Sequence, residues 1–356
     1  MLRHRQAGLL LRDKRLRQGS HAWPDVVGLT GAFADFWKRS LISQEGDRHR
    51  ALRRIAQTAL SEDFILSLEP AFRQTAAEIA ESLRDYPSFD VMQKFAEPYA
   101  GRAMTTLFDL PRHKAAEIAH DANTLGLAMG FGAKSHEPAI NAACRNLEAL
   151  AERLIERAKA GQDKTGYVAR LLQAAGKHDG LDHQAFVDLI VISIFGGVDT
   201  TRAQLGFAIA LFAQHSDQWD WLRNNPDHIP QAIAEVIRTH PTTTWATREA
   251  LQTFQMDGLT IPKGAMIHVF VHATATDPEA GGGTGFDIRA RRKVHFGFGG
   301  GAHHCLGQFV ARTDMAAALA ELLARWRSIE IVGQPEFLPE TGNTSPSRLN
   351  IAPTWD

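Results

Sequence analysis

Cys305 sits in the segment Phe296–Gly307, FGFGGGAHHCLG, where Gly297 and Gly299–Gly301 place four glycines within five residues. Glycine tolerates positive φ and lets backbone come close to a flat partner. A cysteine delivered by such a loop to the start of a helix favours the thiolate, the form that ligates metal. A lone cysteine would read as buried and inert, but the loop around this one argues otherwise. A second cluster, Gly196-Gly197-Val198-Asp199-Thr200-Thr201, sets an acid and two alcohols inside an apolar run. An unpartnered buried carboxylate is costly, so by itself Asp199 is expected to pair with a cation such as Arg202 or to face solvent. Glu235 and Arg238, at i and i+3, share a helix face and alone read as a surface pair. His49 and Arg53, one turn apart, read the same way. His268 and His272 are four apart, but in a strand-like run without the usual tetrahedral ligand spacing, so zinc is rejected. Cys144 reads as a structural cysteine on a helix.

The elements that must position these residues are mostly helical. Helices are expected at Asp47–Leu60, from a Ser61 N-cap to Leu83, and at Met92–Leu107, Ala115–Ala128 and Ala139–Ala160, with loops at Gly161–Gly166 and Gly176–Gly180. Leu181–His215 reads as one long helix with Gly196-Gly197 at its middle, followed by a shorter one at Ile229–His240. Trp245–Ala250, Phe254–Ile261 and Met266–Ala273 read as strands, with Asp257-Gly258 as a hairpin turn. Ala280–Gly285 is a Gly-rich connection. A last helix is expected from Cys305 to Trp326, with Ala311, Met315, Leu319 and Leu322 inward, before short extended pieces. The fold class is therefore mainly α with a small β region, in a single domain over 1–356.

Composition narrows the function. With 44 % apolar residues, 22 % charged residues and a net charge of −1 in 356 residues, there is ample core and no global field for nucleic acid or anionic lipid. Two cysteines exclude a disulfide scaffold. The apolar run Leu189–Val198 is shorter than a membrane span, no signal peptide is visible, and a cytoplasmic location is expected. The first eighteen residues are basic (Arg3, Arg5, Arg12, Lys14, Arg15 and Arg17 against Asp13). They are expected to form a solvated helix with Leu9, Leu10 and Leu11 packed inward.

Phe298-Gly299-x-Gly301-x-His303-x-Cys305-x-Gly307 resembles, position for position, the haem-binding loop of the cytochrome P450 monooxygenases, and the resemblance runs from about Asp47 to the C-terminus. It implies a P450 fold of the soluble bacterial type, in which the long distal helix and the proximal Cys loop sandwich haem b, with Cys305 as thiolate ligand to iron. A thiolate pushes electron density onto the metal and favours O–O cleavage. Phe298, Gly299 and Gly307 shape that loop, while His49, Arg53, Arg248 and His303 match positions that hold the propionates, anions that need charge-assisted donors. Thr200 is implied to hydrogen-bond dioxygen at the haem and Asp199 to relay protons. Glu235 and Arg238 become a buried ion pair supporting the Cys loop. Its usual third, basic member is missing before Phe286-Asp287 or supplied by Arg289 or Arg291. Phe195, Val198, Thr243, Thr244 and Trp245, beside Thr242, are implied to line the substrate pocket. The chain begins almost at the counterpart of Leu9–Gly19, so the first helix and outer strands of the family are expected to be shortened.

The implied activity is insertion of one oxygen atom from O₂ into a small apolar or amphipathic molecule. Electrons would come from a ferredoxin and ferredoxin reductase, because the chain has no room for a flavin or iron–sulfur domain. Arg50, Arg54 and Arg312 are the expected docking contacts. A peroxide-dependent haem–thiolate enzyme and a non-catalytic haem-binding paralogue are the alternatives. The retained Asp199 and Thr200 count against the peroxide reading. No nucleic acid or membrane partner is expected.

Overall fold

The computed structural model describes residues 2–176, 182–281, 283–339 and 341–356. The helices among them are α1 His4–Leu10, α2 Trp23–Val27, α3 Ala32–Arg39, α4 Gly46–Ala59, α5 Glu62–Glu81, α6 Glu97–Leu107, α7 Ala115–Gly126, α8 Glu137–Lys159, α9 Tyr167–Ala175, α10 His183–Gln214, α11 Ser216–Asn224, α12 Ile229–Thr239, α13 Val271–Ala275 and α14 Gln308–Leu323. The strands are β1 Leu16–Gln18, β2 Phe89–Asp90, β3 Trp245–Ala250, β4 Phe254–Met256, β5 Leu259–Ile261, β6 Met266–Phe270, β7 Trp326–Ile331, β8 Glu336–Phe337, β9 Pro346–Arg348 and β10 Asn350–Trp355.

The expected helices and the small β region are present, with differences at the ends. The expected loop at 177–180, Leu181 and Gly282 lie outside the described residues. The long helix starts after Asp182, whose carboxylate accepts the Ala185 N–H at 2.8 Å and caps it. Ser61 does precede α5, but its hydroxyl accepts from Arg170 at 3.0 Å instead of capping. The final helix opens at Gln308, beyond Cys305, and ends before Trp326, which is strand. Past Phe270 the chain turns into α13 rather than continuing the strand. Asp257 and Gly258 have φ of 48° and 80°, as a two-residue hairpin of this twist requires, and join β4 to β5.

α10 organises the interior. Its 32 residues, about 48 Å at ~1.5 Å per residue, run through the molecule with most side chains buried. By length and composition it could cross a membrane, but it serves here as a core helix. Its first half belongs to an apolar cluster with α3, α4 and α6–α9. Its second half packs with α5, α11, α12, α14 and β7. A third, smaller cluster joins α1 to the β1-β3-β6 sheet, in which β1 pairs antiparallel with β3. The N-terminal segment thus supplies a sheet strand. Leu10 and Leu11 are buried as expected, but Leu9 is 54 % exposed, on the outer face of α1. The basic residues beside it are partnered: Arg3 with Asp277, Arg5 with Asp257, Arg15 with Asp13 and Arg17 with Glu249.

Candidate functional site: the Cys305 loop and the face of α10

The loop before Cys305 is held by close backbone approach. Gly301 has φ 71°, and a Cβ there would sit 2.1 Å from the Leu11 carbonyl oxygen. A Cβ on Gly297 would meet the Ile237 side chain of α12 at 2.3 Å. The glycines therefore dock the loop against α1 and α12, a use beyond the flat partner that composition suggested. The Cys305 N–H donates to the Phe298 carbonyl at 2.8 Å, closing the turn, and Arg312 lies over the Phe298 ring at 5.2 Å. Cys305 is not in the first turn of α14, so the expected help from a helix N-terminus is replaced by a local bond from the Gly307 N–H. Burial pushes the Cys305 thiol up, against the opposing pull of that N–H, Arg53 and Arg312. The metal-free thiol therefore favours its protonated form, and metal ligation must displace the proton.

Basic groups gather beside this loop. Arg53 donates to the His304 carbonyl at 2.7 Å. The His49 and His303 rings lie 4.1 Å apart, and His303 is bonded to Glu45 at 3.1 Å. Arg248 is buried and, among the described residues, donates only to neutral acceptors: the Gln18 side chain, the Thr247 carbonyl, Gly300 at 3.0 Å and Leu11 at 3.4 Å. Burial lowers it to about 10. His49 is lowered to about 4, first by burial and then by the charges of His303 and Arg53, and its buried Nε2 has no hydrogen-bond partner. Among the described residues Arg248 is a buried cation in no ion pair and His49 a buried ring with an unpartnered Nε2; together with Arg53 and His303, beside a thiol, they fit an iron porphyrin with two carboxylates.

On α10, Gly196 is exposed although the helix is buried around it, and a Cβ there would meet nothing within 4 Å. Thr200, one turn on, donates to the Gly196 carbonyl at 2.5 Å. A space therefore opens along Ile192, Gly196 and Thr200, the i, i+4 face. Phe195 is 6 % exposed and packs edge-on against Trp37, while Val198 is fully buried. These two residues, expected from the resemblance to line the pocket, are packed in the core cluster, while Ile192, at helical spacing from Gly196, is partly exposed. Asp199 is also buried, about 100° round the helix from Thr200. Its carboxylate accepts from Asn343 at 3.1 Å and lies 3.5 Å from Arg202, and among the described residues no hydrogen bond joins it to Thr200. Thr201 donates to Asp314 of α14 at 3.3 Å, tying α10 to the helix behind the Cys loop.

Thr242 bonds Gln204 at 3.1 Å, Thr243 bonds Asn343 at 3.4 Å and Thr244 bonds the Thr341 carbonyl. The Thr243 and Thr244 hydroxyls hold the 341–345 segment in place, and the Thr242 hydroxyl ties this stretch to α10. Trp245 stacks with Phe131 at 6.4 Å and contacts Phe270 at 5.9 Å.

Glu235 and Arg238 are buried together, joined by two bonds of 2.6 and 2.7 Å. Arg238 also donates to the Ala275, Gly283 and Gly285 carbonyls at 3.2, 3.0 and 2.9 Å. The third basic member is Arg292, 3.4 Å from Glu235. Arg289 instead faces Asp287 and Asp217, and Arg291 is exposed. Glu235 also accepts the Asp287 N–H at 3.0 Å, so the turn at Phe286-Asp287 closes on the pair before the chain reaches Arg292. Arg50, Arg54 and Arg312 are exposed.

Comparison with known proteins agrees with this arrangement. Residues 127–280 match the family model described as Cytochrome P450. The luteothin monooxygenase of Streptomyces thioluteus is 32 % identical over 99 % of this chain and 87 % of its own length. The polyketide biosynthesis cytochrome P450 PksS of Bacillus subtilis is 24 % identical over 85 % of this chain and 74 % of its own. The crystal structure of CalO2 superposes with a TM-score of 0.90 at 25 % identity, covering 99 % of this chain and 90 % of that one. The chain belongs to the cytochrome P450 family and is a haem b monooxygenase of the bacterial type.

Proposed function

We propose that the chain hydroxylates a small apolar or amphipathic molecule bound over the Gly196–Thr200 face, using a ferredoxin and its reductase as electron source. One atom of O₂ enters a C–H bond of the substrate; the other leaves as water, consuming two electrons and two protons from outside. The haem, ligated through Cys305 and cradled by His49, Arg53, Arg248 and His303, supplies binding and reduction of O₂. The chain's own residues do the rest. The absent side chain at Gly196 leaves room beside the helix. The Thr200 hydroxyl, now on the Gly196 carbonyl, rotates to donate to a ligand in that room. Asp199 moves protons from its buried network toward Thr200. Exposed Arg50, Arg54 and Arg312, on the Cys-loop helix and α4, offer cations to an acidic ferredoxin. That relatives are named for luteothin and for polyketide biosynthesis supports a small organic molecule as the substrate. The bacterial P450 relatives support a cytoplasmic location.

The observation that carries this reading is the Cys305 thiol beside a buried Arg248 that, among the described residues, is in no ion pair and a buried His49 whose Nε2 has no hydrogen-bond partner. The test is the spectrum of the reduced protein under carbon monoxide. A strongly red-shifted Soret band, lost in Cys305→Ser, is expected. A band at the imidazole-like position would overturn thiolate ligation. For the donor, Arg54→Glu with Arg312→Glu is expected to slow reduction by ferredoxin but not by dithionite; equal rates with ferredoxin would refute the docking assignment.

A further inference from the structure

Asp199 has three neighbours of different kinds, and two lead to one place. Its Oδ2 accepts from the Asn343 amide at 3.1 Å. Its Oδ1 lies 3.5 Å from Arg202, whose guanidinium is itself 3.5 Å from the Ser345 hydroxyl. On its third side stands Gly126 of α7, where a Cβ would come within 3.0 Å of Oδ1, so bare backbone closes the carboxylate off. The residue is 7 % exposed, which leaves little water to replace a lost partner.

Asn343 is bonded on both sides. While its amide nitrogen serves Asp199, its amide oxygen accepts from Thr243 at 3.4 Å, and a β-bridge pairs the two residues. The same segment is anchored by Thr244 to the Gly342 carbonyl at 3.2 Å, by Gly342 to the Met129 carbonyl at 3.2 Å and by Thr344 to the Thr242 carbonyl at 2.8 Å. Anything lodged over α10 against Thr243 therefore presses on the strip that grips Asp199.

We propose that Asn343 is a positioning residue for oxygen activation, holding the Asp199 carboxylate on the substrate-side strip 341–345 until an occupant shifts the strip and frees the acid to serve Thr200. The inference rests on reading Asp199 as the proton relay. Consecutive residues of a helix point about 100° apart, so Asp199 reaches the Thr200 side only by leaving Asn343. The Asn343 amide adds no charge to the one Arg202 already offers at 3.5 Å, so the shorter bond that must break is to a neutral donor and breaks at lower cost than a second ion pair would. Proton delivery is then linked to occupancy, and proton-dependent reduction of dioxygen is held back when no substrate is present.

The experiment is a double-mutant cycle of Asn343→Leu and Asp199→Ala on the haem-loaded protein, with two readouts. The first is hydrogen exchange of the Gly342 and Thr344 amides, which needs no turnover. Each single variant is expected to speed it on the order of tenfold, the factor equivalent to about 1.4 kcal/mol, and the double variant no more than either. The second is the fraction of donor electrons recovered in product. With sub-saturating substrate, Asn343→Leu is expected to lower it severalfold and to raise substrate-free electron consumption, while Asn343→Gln, which keeps a donor, restores part of both. Additive exchange effects, or wild-type electron recovery in Asn343→Leu, overturn the proposal. If Asp199→Ala itself recovers electrons as the wild type does, the relay reading fails instead, even where the exchange effects remain coupled.

Discussion

Glu235→Gln removes one charge from the most enclosed ion pair of the site, and its effect can be worked from the bonds around it. The Glu235 Oε1 accepts from Arg238, Asp287 N–H and Arg292, and its Oε2 from the Arg238 Nε–H. A glutamine must turn its NH₂ toward one of these sets of donors, so at best it loses the Nε–H bond and leaves the guanidinium buried without its countercharge. Breaking one side of a buried pair costs about 3–5 kcal/mol. For 356 residues, an unfolding entropy of ~2.1 cal/mol/K per residue gives about 0.75 kcal/mol/K, and hence a fall in Tm of about 4–7 °C. Arg238→Met is expected to be worse, because three carbonyls also lose their donor at about 1 kcal/mol or more each. That total of about 6–8 kcal/mol is comparable with the whole stability of a typical protein, and the variant is not expected to accumulate folded. Arg292→Ala, which gives up bonds of 3.4 Å from a partly exposed side chain, is expected to cost under about 1 kcal/mol. The assay is thermal unfolding of the haem-loaded variants by circular dichroism. A Glu235→Gln melt within ~1 °C of the wild type, or an Arg292→Ala loss as large as that of Glu235→Gln, would refute the reasoning.

Arg248→Leu is expected to speed haem transfer to apomyoglobin by about 10–100-fold, the equivalent of one charge-assisted hydrogen bond; unchanged transfer would remove Arg248 from the propionate cradle. Thr200→Ala gives up only the bond to the Gly196 carbonyl, so its Tm should move by under about 1 °C, while the share of electrons recovered in product falls. A wild-type share would contradict its role. His295 is lowered to about 4, first by burial and then by Arg312, Arg238 and His304, whereas the unfolded imidazole titrates near ~6.5. The unfolded chain binds that proton more readily, so this contribution to stability is complete above about pH 6.5 and is lost as pH falls toward 4. Tm measured against pH should show that fall, and His295→Gln, which keeps an acceptor for the Gly297 N–H, should flatten it; parallel curves would exclude His295 as the source.

What the sequence made legible was local chemistry, and what it hid was the choice of distant partners. The Cys305 loop could be read because closely spaced glycines and a cysteine have few uses together, and α10 because an apolar run of that length admits little else. The short helices α9 and α11 escaped notice: α9 follows a glycine-rich loop, and α11 carries Asp217, Asp220 and Arg223 among its nine residues. The network around Glu235 shows the limit most clearly. Spacing proposed the i, i+3 pair, and burial turned it from a surface neighbour into a clamp on three carbonyls. Its third member is Arg292 rather than Arg289 or Arg291 because Glu235 accepts the Asp287 N–H first and so fixes where the following turn delivers its arginines. Asp199 follows the same logic. Its local partner Arg202 was readable at i+3, yet the shorter bond comes from Asn343 across the fold, on a strip with no motif of its own. Family resemblance points to the residues that would hold the haem, since porphyrin chemistry leaves few alternatives. The residues that hold those in place answer only to the packing of this chain, so substitutions that set its coupling are to be sought at Asn343 and Thr243.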